Sequence, residues 1–409
     1  MKKLHKVVAF VSLAAMLATG CGAPSSQVES RAESNVESQT AVSSEDKEDA
    51  PENMNVTWNT EDDFLEWDEP KPSGKTPLDS MLGMASDDLD VTRFKYSEFG
   101  AFALDTMNRG FTSNEDPASV EYWARLGLIK TVHDVDDEDH VWALYVPESY
   151  YEEENAGREY PLVFIWHGYM NPILVAEQYG FLEEAAEKEY IAVIPWADND
   201  NDYLEETERI YEQLTSEYRV DKSRVYSTGF SLGGQTSLTL ALEKSEWFAA
   251  VVACGTSAGG AFYDAGGNTI DIAAGHGPLM SDEFAAASEV IPAMVIAGDS
   301  DRYHLFPVNT EDKVQAVNAW LEHEGVAGKQ TLEGSLALLE DGQDEVEKKI
   351  GIDFDETQIR SLDGFYYIGR FYNENGENVF SMACLENGIH TTSRGMARLA
   401  FEFFEQHTK

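Results

Sequence analysis

Residues 220–235 read Val220-Asp-Lys-Ser-Arg-Val-Tyr-Ser-Thr-Gly-Phe-Ser-Leu-Gly-Gly-Gln235, and they constrain the architecture more than any other segment. The apolar run before Gly229 predicts a short strand, and the residues after Ser231 predict a helix. A Gly-x-Ser-x-Gly turn between a strand and a helix is typical of a nucleophilic serine held on a sharp, strained bend. Glycines flank such a serine because the strand and the helix pass too close for side chains. Ser231 is therefore the candidate nucleophile.

A second Gly-x-Ser-x-Gly match occurs at residues 255–259, around Ser257. Further glycines follow it at positions 260, 266 and 267, which is typical of a loop and not of a helix. Because the motif needs a strand before the serine and a helix after it, we favour Ser231 over Ser257.

Apolar runs typical of buried strands alternate with helical patterns through most of the chain. The predicted strands are 126–135, 140–146, 160–166, 190–196, 224–228, 247–254 and 291–297, followed by a hairpin of 365–372 and 377–385 and a final helix of 393–406. This alternation predicts an α/β fold with a mostly parallel, doubly wound sheet and helices on both faces. Ligands of such sheets bind at the carboxyl ends of the strands, and Ser231 follows one of those ends.

A serine nucleophile needs a general base, usually histidine, and a carboxylate that orients the base. Asp299 and Asp301 both follow the predicted strand 291–297, and both are candidates for the carboxylate. His390 lies between the last strand and the last helix, where the base of such folds is found. We therefore predict a Ser231–aspartate–His390 arrangement.

Two backbone N–H groups must bind the oxyanion that forms when the serine attacks. One is expected from Leu232, which follows the nucleophile, and the other from Tyr169 in the loop after strand 160–166. Gly168 permits a close approach of that loop to the serine. We expect His167 to hydrogen-bond within the loop.

Aromatic residues follow three predicted strand ends. Trp196, Tyr169 and Tyr303 are expected to form an acyl or sugar pocket, although such rings also serve as ordinary packing residues. Trp196, Tyr303 and His167 are the candidate substrate-binding residues.

Segments 161–168, 220–234 and 297–301 together resemble the α/β-hydrolases related to polyhydroxybutyrate depolymerases and to feruloyl and acetylxylan esterases. The resemblance covers about residues 125–409. It implies an α/β-hydrolase fold that hydrolyses carboxylic esters through an acyl-serine intermediate. It also implies that the triad is Ser231, Asp301 and His390, because the acid of that family stands three residues after the glycine that is Gly298 here.

The chain departs from that family at two motifs. Depolymerase-type oxyanion loops often carry a cysteine where this chain has Tyr169, and many members read His-x-Trp-Pro where this chain reads His390-Thr-Thr-Ser. The segment at about 328–362 is an acidic insertion. A serine peptidase on the same fold and a non-catalytic binding lipoprotein remain alternative interpretations.

The first residues have the pattern of a bacterial lipoprotein signal. A basic start precedes an apolar run at 7–18, which is too short to span a bilayer, and Leu17-Ala-Thr-Gly-Cys21 resembles a lipobox. We predict a signal peptide at 1–20, lipid at Cys21, a disordered acidic tether at 21–60, an N-terminal lead-in at 61–124 and the catalytic domain at 125–409. The expected location is extracytoplasmic, with the lipid of Cys21 in the membrane.

The charge balance excludes one class of partner. The chain has 75 acidic and 29 basic residues and a formal net charge of −46, which repels nucleic acid. Its three cysteines and nine histidines form no zinc-binding spacing, so we predict neither a metal nor a cofactor. The expected partner is a small-molecule or polymer ester substrate.

Overall fold

The computed structural model describes residues 56–58, 123–124, 126–134, 141–168, 180–195, 203–270, 279 and 281–409. The predicted signal peptide, the lipidation site Cys21, the oxyanion donor Tyr169 and the pocket residue Trp196 lie outside these residues. The same holds for the predicted tether apart from residues 56–58 and for the lead-in apart from residues 123–124.

The strands are β1 Val56–Trp58, β2 Leu128–His133, β3 Trp142–Pro147, β4 Tyr160–Trp166, β5 Ile191–Pro195, β6 Val220–Phe230, β7 Ala250–Cys254, β8 Phe262–Tyr263, β9 Thr269–Ile270, β10 Ala293–Gly298, β11 Glu356–Ser361, β12 Phe365–Tyr372 and β13 Asn378–Leu385. The helices are α1 Phe181–Glu187, α2 Tyr203–Glu217, α3 Leu232–Glu243, α4 Ser281–Ala286, α5 Glu311–His323, α6 Leu332–Asp341, α7 Glu345–Ile350 and α8 Arg394–Phe404. Two 3-10 turns, Glu148–Tyr151 and Glu153–Asn155, connect β3 to β4.

One large sheet has the strand order β1-β11-β12-β13-β10-β7-β6-β4-β5-β3-β2. The strands from β13 to β5 run parallel, while β12 and β11 on one side and β3 and β2 on the other pair antiparallel. With helices on both faces, this is the α/β-hydrolase fold, as predicted. A separate antiparallel hairpin joins β8 and β9.

Two hydrophobic layers enclose the sheet, one on each face. All seven side chains of β4 are buried, as expected of a central strand covered on both sides. The last helix begins with a Ser393 cap, whose hydroxyl accepts a hydrogen bond from the Met396 N–H. Its predicted apolar face is Met396, Leu399, Ala400 and Phe403, all of them buried.

Two segments differ from the expectations drawn from composition. Val56–Trp58 form β1, parallel to β11, although these residues belong to the stretch predicted as a disordered tether. Val, Thr and Trp favour strands, and the acidic composition of the longer stretch concealed this local preference. The insertion contains α6 and α7 but also β11, which extends the sheet beyond β12.

In the part of the chain that the structure describes, no helix combines the length and the apolar character needed to cross a membrane.

Candidate active site

Ser231 occupies the junction between β6 and α3, in a strained backbone conformation. Its φ and ψ are 57° and −117°, a region that costs a non-glycine residue free energy and that is found mainly at functional sites. The Ser231 N–H donates a 2.8 Å hydrogen bond to the Cys254 carbonyl at the end of β7. The sheet therefore holds the serine at the carboxyl edge of its central strands.

The glycines on either side of Ser231 are required by close backbone contacts. A Cβ atom on Gly229 would lie 2.6 Å from the carbonyl oxygen of Trp166, and one on Gly233 would lie 2.3 Å from the same oxygen. Neither distance is compatible with a side chain. The strand and helix thus pass as closely as the sequence motif predicts, and only glycine fits at these two positions.

Three polar side chains meet at this edge of the sheet. Ser231 Oγ lies 3.0 Å from His390 Nε2, and His390 Nδ1 lies 2.7 Å from Asp301 Oδ2. Ser231, His390 and Asp301 are 8%, 5% and 1% exposed, so water has little access to the hydrogen bonds between them. An ionised carboxylate can only accept, so His390 donates through Nδ1, and Nε2 is then available to accept the serine proton.

Neighbouring strands supply the acid and the base. Asp301 lies in the loop after β10, and His390 lies in the loop after β13. Gly298 at the end of β10 pairs with Leu385 at the end of β13, so the two loops leave the sheet side by side. The Tyr303 N–H donates a 2.8 Å hydrogen bond to Asp301 Oδ1, which leaves Oδ2 to the histidine.

The structure distinguishes the two candidate aspartates and the two candidate serines. Asp299 forms a 2.5 Å ion pair with Lys349 of α7, whereas Asp301 contacts His390. Ser257 Oγ accepts a 3.0 Å hydrogen bond from the Ala261 N–H, which makes it part of the loop structure after β7. Asp301 and Ser231, the favoured candidates, are the ones brought together with the histidine.

The predicted oxyanion donors lie partly within the described residues. Leu232 is the first residue of α3, where backbone N–H groups have no acceptor inside the helix. A Cβ atom on Gly168 would lie 2.9 Å from Ser231 Cβ, so the loop after β4 reaches the nucleophile as expected. His167 Nδ1 donates a 2.6 Å hydrogen bond to the Gly168 carbonyl, in agreement with a role within that loop.

Aromatic rings surround the imidazole of His390. The Tyr303 ring packs edge-on against it at 4.6 Å between centroids, and Phe230 and Phe262 lie at 4.8 Å and 6.3 Å. Tyr303 was predicted to line the site, whereas Phe230 and Phe262 were missed. Because Phe230 directly precedes the nucleophile in the chain, its position could have predicted that it lies beside the histidine. Phe262 lies on the β8–β9 hairpin, which no sequence pattern placed near the histidine.

A buried lysine on α5 binds the segment that follows the acid. Lys313 Nζ donates hydrogen bonds to the carbonyls of His304 at 2.5 Å and Pro307 at 3.0 Å, and it lies 4.8 Å from the centre of the Tyr263 ring. Burial lowers the pKa of Lys313 to about 8. The sequence analysis missed this residue because a single lysine near the start of a helix is usually exposed.

The described side chains show no group of three or more His, Cys, Asp or Glu residues arranged to hold a metal ion. The site carries the elements of covalent catalysis by serine: a nucleophile, a base and an orienting acid in hydrogen-bond contact.

Curated proteins similar to this chain include probable feruloyl esterases of filamentous fungi. The probable feruloyl esterase C of Aspergillus flavus is 31% identical over 137 residues, which are 30% of this chain and 48% of that protein. The protein of the same description from Aspergillus niger is 30% identical over the same length. The chain spans about half the length of the curated relatives it matches. No protein-family model matches the chain.

Solved structures with a similar chain path have low sequence identity. A ferulic acid esterase from Anaeromyces mucronatus, in complex with ferulic acid, is 15% identical with a TM-score of 0.38, over 69% of this chain and 90% of that chain. The fluorophosphonate-binding serine hydrolase F of Staphylococcus aureus is 14% identical with a TM-score of 0.37, over 49% of this chain and 87% of that chain. The strand order of the large sheet by itself gives the α/β-hydrolase fold.

Proposed function

We propose that this protein is a serine esterase that hydrolyses carboxylic esters through an acyl-serine intermediate, with Ser231, His390 and Asp301 as its triad. The observation that carries the proposal is the unbroken path from Ser231 Oγ to His390 Nε2 at 3.0 Å and from His390 Nδ1 to Asp301 Oδ2 at 2.7 Å. The positive φ of Ser231 supports it, since strained backbone of this kind clusters at active sites.

The proposed reaction has two halves. The Ser231 hydroxyl attacks the ester carbonyl carbon while its proton passes to His390 Nε2, and Asp301 stabilises the imidazolium. His390 then gives that proton to the departing alcohol as the carbon–oxygen bond breaks, which leaves the acyl group on Ser231. In the second half a water molecule attacks the acyl carbon while its proton passes to His390 Nε2. His390 then returns this proton to Ser231 Oγ as the bond between Oγ and the acyl group breaks and the acid leaves. The N–H groups of Leu232 and Tyr169 are the proposed donors to the oxyanion in both halves.

For the substrate, we propose esters of an aromatic acid of the feruloyl type. The names of the curated relatives support this choice, as does the half-buried Tyr303 ring 4.6 Å from His390. Tyr303, Trp196 and His167 are the proposed contacts for the acyl group. Esters of polyhydroxyalkanoate type are the other outcome that the sequence resemblance allows.

Fluorophosphonate labelling of the full chain, with the modified peptide mapped by mass spectrometry, tests the nucleophile. Label on the peptide that contains Ser231 supports the proposal, and a folded protein without label refutes it. Methyl ferulate, a 3-hydroxybutyrate oligomer and feruloyl amide then test the substrate. Turnover of the amide at a rate near that of the ester would indicate a peptidase, and preferential turnover of the oligomer would reassign the acyl group.

We further propose that the enzyme acts outside the cytoplasm, anchored by lipid at Cys21. The support is the signal-like segment that ends in Leu17-Ala-Thr-Gly-Cys21. Metabolic labelling with an alkyne fatty acid in a bacterial host should mark the wild type but not the Cys21→Ala variant. Equal labelling of both chains would refute the anchor without bearing on the esterase.

A further inference from the structure

An ion pair joins the insertion to the active-site edge of the sheet. Lys349, on α7, places its Nζ 2.5 Å from Asp299 Oδ2, and the two side chains are only 27% and 17% exposed. Asp299 lies two positions before the triad acid Asp301. An ion pair sheltered in this way is less screened than one on the open surface.

Asp299 belongs to the backbone junction between the acid loop and the histidine loop. Its N–H donates to the Leu385 carbonyl at 3.2 Å, and the N–H of Ser300 donates to the Gly388 carbonyl at 3.0 Å. These bonds determine how the segment that carries Asp301 lies beside the segment that carries His390. A side chain that holds Asp299 therefore acts on the relative placement of acid and base.

Lys349 also lies close to the histidine loop. Its ammonium is 5.2 Å from the centre of the Tyr367 ring, and the Tyr367 hydroxyl donates a 3.2 Å hydrogen bond to Glu386 Oε1 at the start of that loop. Burial opposes the charge on Lys349, but Cys384, Asp299 and Tyr367 outweigh it, so the pKa of the ammonium is raised above its ordinary value. Lys349 thus remains charged where the two loops meet.

Helix α7 is held firmly enough to act as a support. Val346 and Ile350 are buried in the core, and the Asp344 cap accepts hydrogen bonds from the N–H groups of Val346 and Glu347. The Val308 N–H donates a 2.8 Å hydrogen bond to the Ile350 carbonyl, which joins the end of α7 to the segment that follows Asp301.

We propose that Lys349 is a positioning residue for the triad: by holding Asp299, it fixes the acid loop against the histidine loop and so keeps Asp301 within hydrogen-bond reach of His390. In this proposal the insertion supports the loop that carries the catalytic acid. The inference rests on the proposed esterase function.

The test compares Lys349→Met, Asp299→Asn, their double variant and Lys349→Arg in the full chain. The matched control is Lys348→Met, because Lys348 is the neighbouring exposed lysine and its ammonium lies 3.4 Å from Glu345 of the same helix. We expect Lys349→Met to lower kcat about tenfold or more with KM changed less than about twofold. The double variant should be no worse than the poorer single variant, and Lys349→Arg should recover to within about threefold of wild type.

A lower kcat with little change in KM, together with the recovery of activity in Lys349→Arg, distinguishes a positioning role from a general effect on stability. Thermal unfolding identifies any variant that fails to fold, and Asp299→Asn, which keeps the shape of the side chain, then carries the test. Equal kcat values for Lys349→Met and Lys348→Met, with wild-type Ser231 labelled by fluorophosphonate, would overturn this inference alone. A wild type that is folded but not labelled would overturn the esterase proposal and this inference with it.

Discussion

Asp301 and His390 stand 89 positions apart in the chain, yet Oδ2 of the aspartate accepts a 2.7 Å hydrogen bond from Nδ1 of the histidine. Their proximity follows from the pairing of β10 with β13, whose carboxyl ends lie side by side. Asp299, on the same loop, instead faces Lys349 of the insertion. The pairing of these parallel strands brings the acid loop to the histidine, and the contact with Lys349 distinguishes Asp299 from the acid that orients the base.

Replacement of Ser231 should abolish covalent labelling. Ser231→Ala removes the oxygen that lies 3.0 Å from His390 Nε2, so we expect kcat toward esters to fall by at least about 10⁴-fold. Ser257→Ala is the matched control because Ser257 has the same Gly-x-Ser-x-Gly setting in the sequence. Esterase assays and fluorophosphonate labelling should show Ser257→Ala active and labelled. The reverse result would assign the nucleophile to Ser257.

Replacement of Asp301 by asparagine should leave the fold intact and lower kcat by about 10⁴-fold. The amide can donate to His390 Nδ1, which would place the proton on Nε2 and leave no acceptor for the serine. Steady-state kinetics at several pH values measures the loss. A decrease below about tenfold would show that Asp301 does not orient the base.

The Tyr303 ring should affect the rate with aromatic acyl groups. Tyr303→Ala removes the aromatic ring beside His390 that is proposed to contact the feruloyl group, and contacts between two aromatic rings are worth about 0.5–1.5 kcal/mol. We expect kcat/KM for methyl ferulate to fall about threefold to tenfold, with a smaller decrease for methyl acetate, which has no aromatic acyl group. An identical effect on both esters would place Tyr303 outside the acyl pocket.

A side chain at Gly233 should destabilise the whole domain. The added Cβ of Gly233→Ala would lie 2.3 Å from the Trp166 carbonyl oxygen and 2.6 Å from that of His167. We expect a loss of about 2–4 kcal/mol in the free energy of unfolding, measured by denaturant titration. Gly157→Ala is the control, because its Cβ would have no atom within 4 Å. Equal stability of the two variants would contradict the close packing of β4 against α3.

A buried histidine should make the domain sensitive to acid. Burial lowers the pKa of His407 to about 4 from an ordinary value of 6.5. Between pH 6.5 and 4 the unfolded chain binds a proton at this histidine more readily than the native chain. The contribution of His407 to the free energy of unfolding is therefore lost as the pH falls from 6.5 to 4. As the pH is lowered, the denaturant concentration at the unfolding midpoint should decrease less steeply in His407→Phe than in wild type. Parallel curves for the two proteins would exclude this contribution.

Much of the candidate site was predictable because its signals are local. The strand–turn–helix around Ser231, the glycines beside it, the histidine before the last helix and the alternation of strands and helices all depend on neighbouring residues. The choice between Asp299 and Asp301 required more, since both follow the same strand and only the family resemblance favoured one. The β1 strand was missed because three residues with strand preference lie in a long acidic stretch.

The amino-acid sequence by itself determined the class of fold, the position of the nucleophilic turn and the sign of the surface charge, because periodicity, glycine spacing and composition act over a few residues at a time. Only the tertiary structure decided that Phe262 lies beside His390 and that Asp299 pairs with Lys349. These contacts join elements far apart in the chain, and they form only where the packing of the sheet and of the insertion brings those elements together.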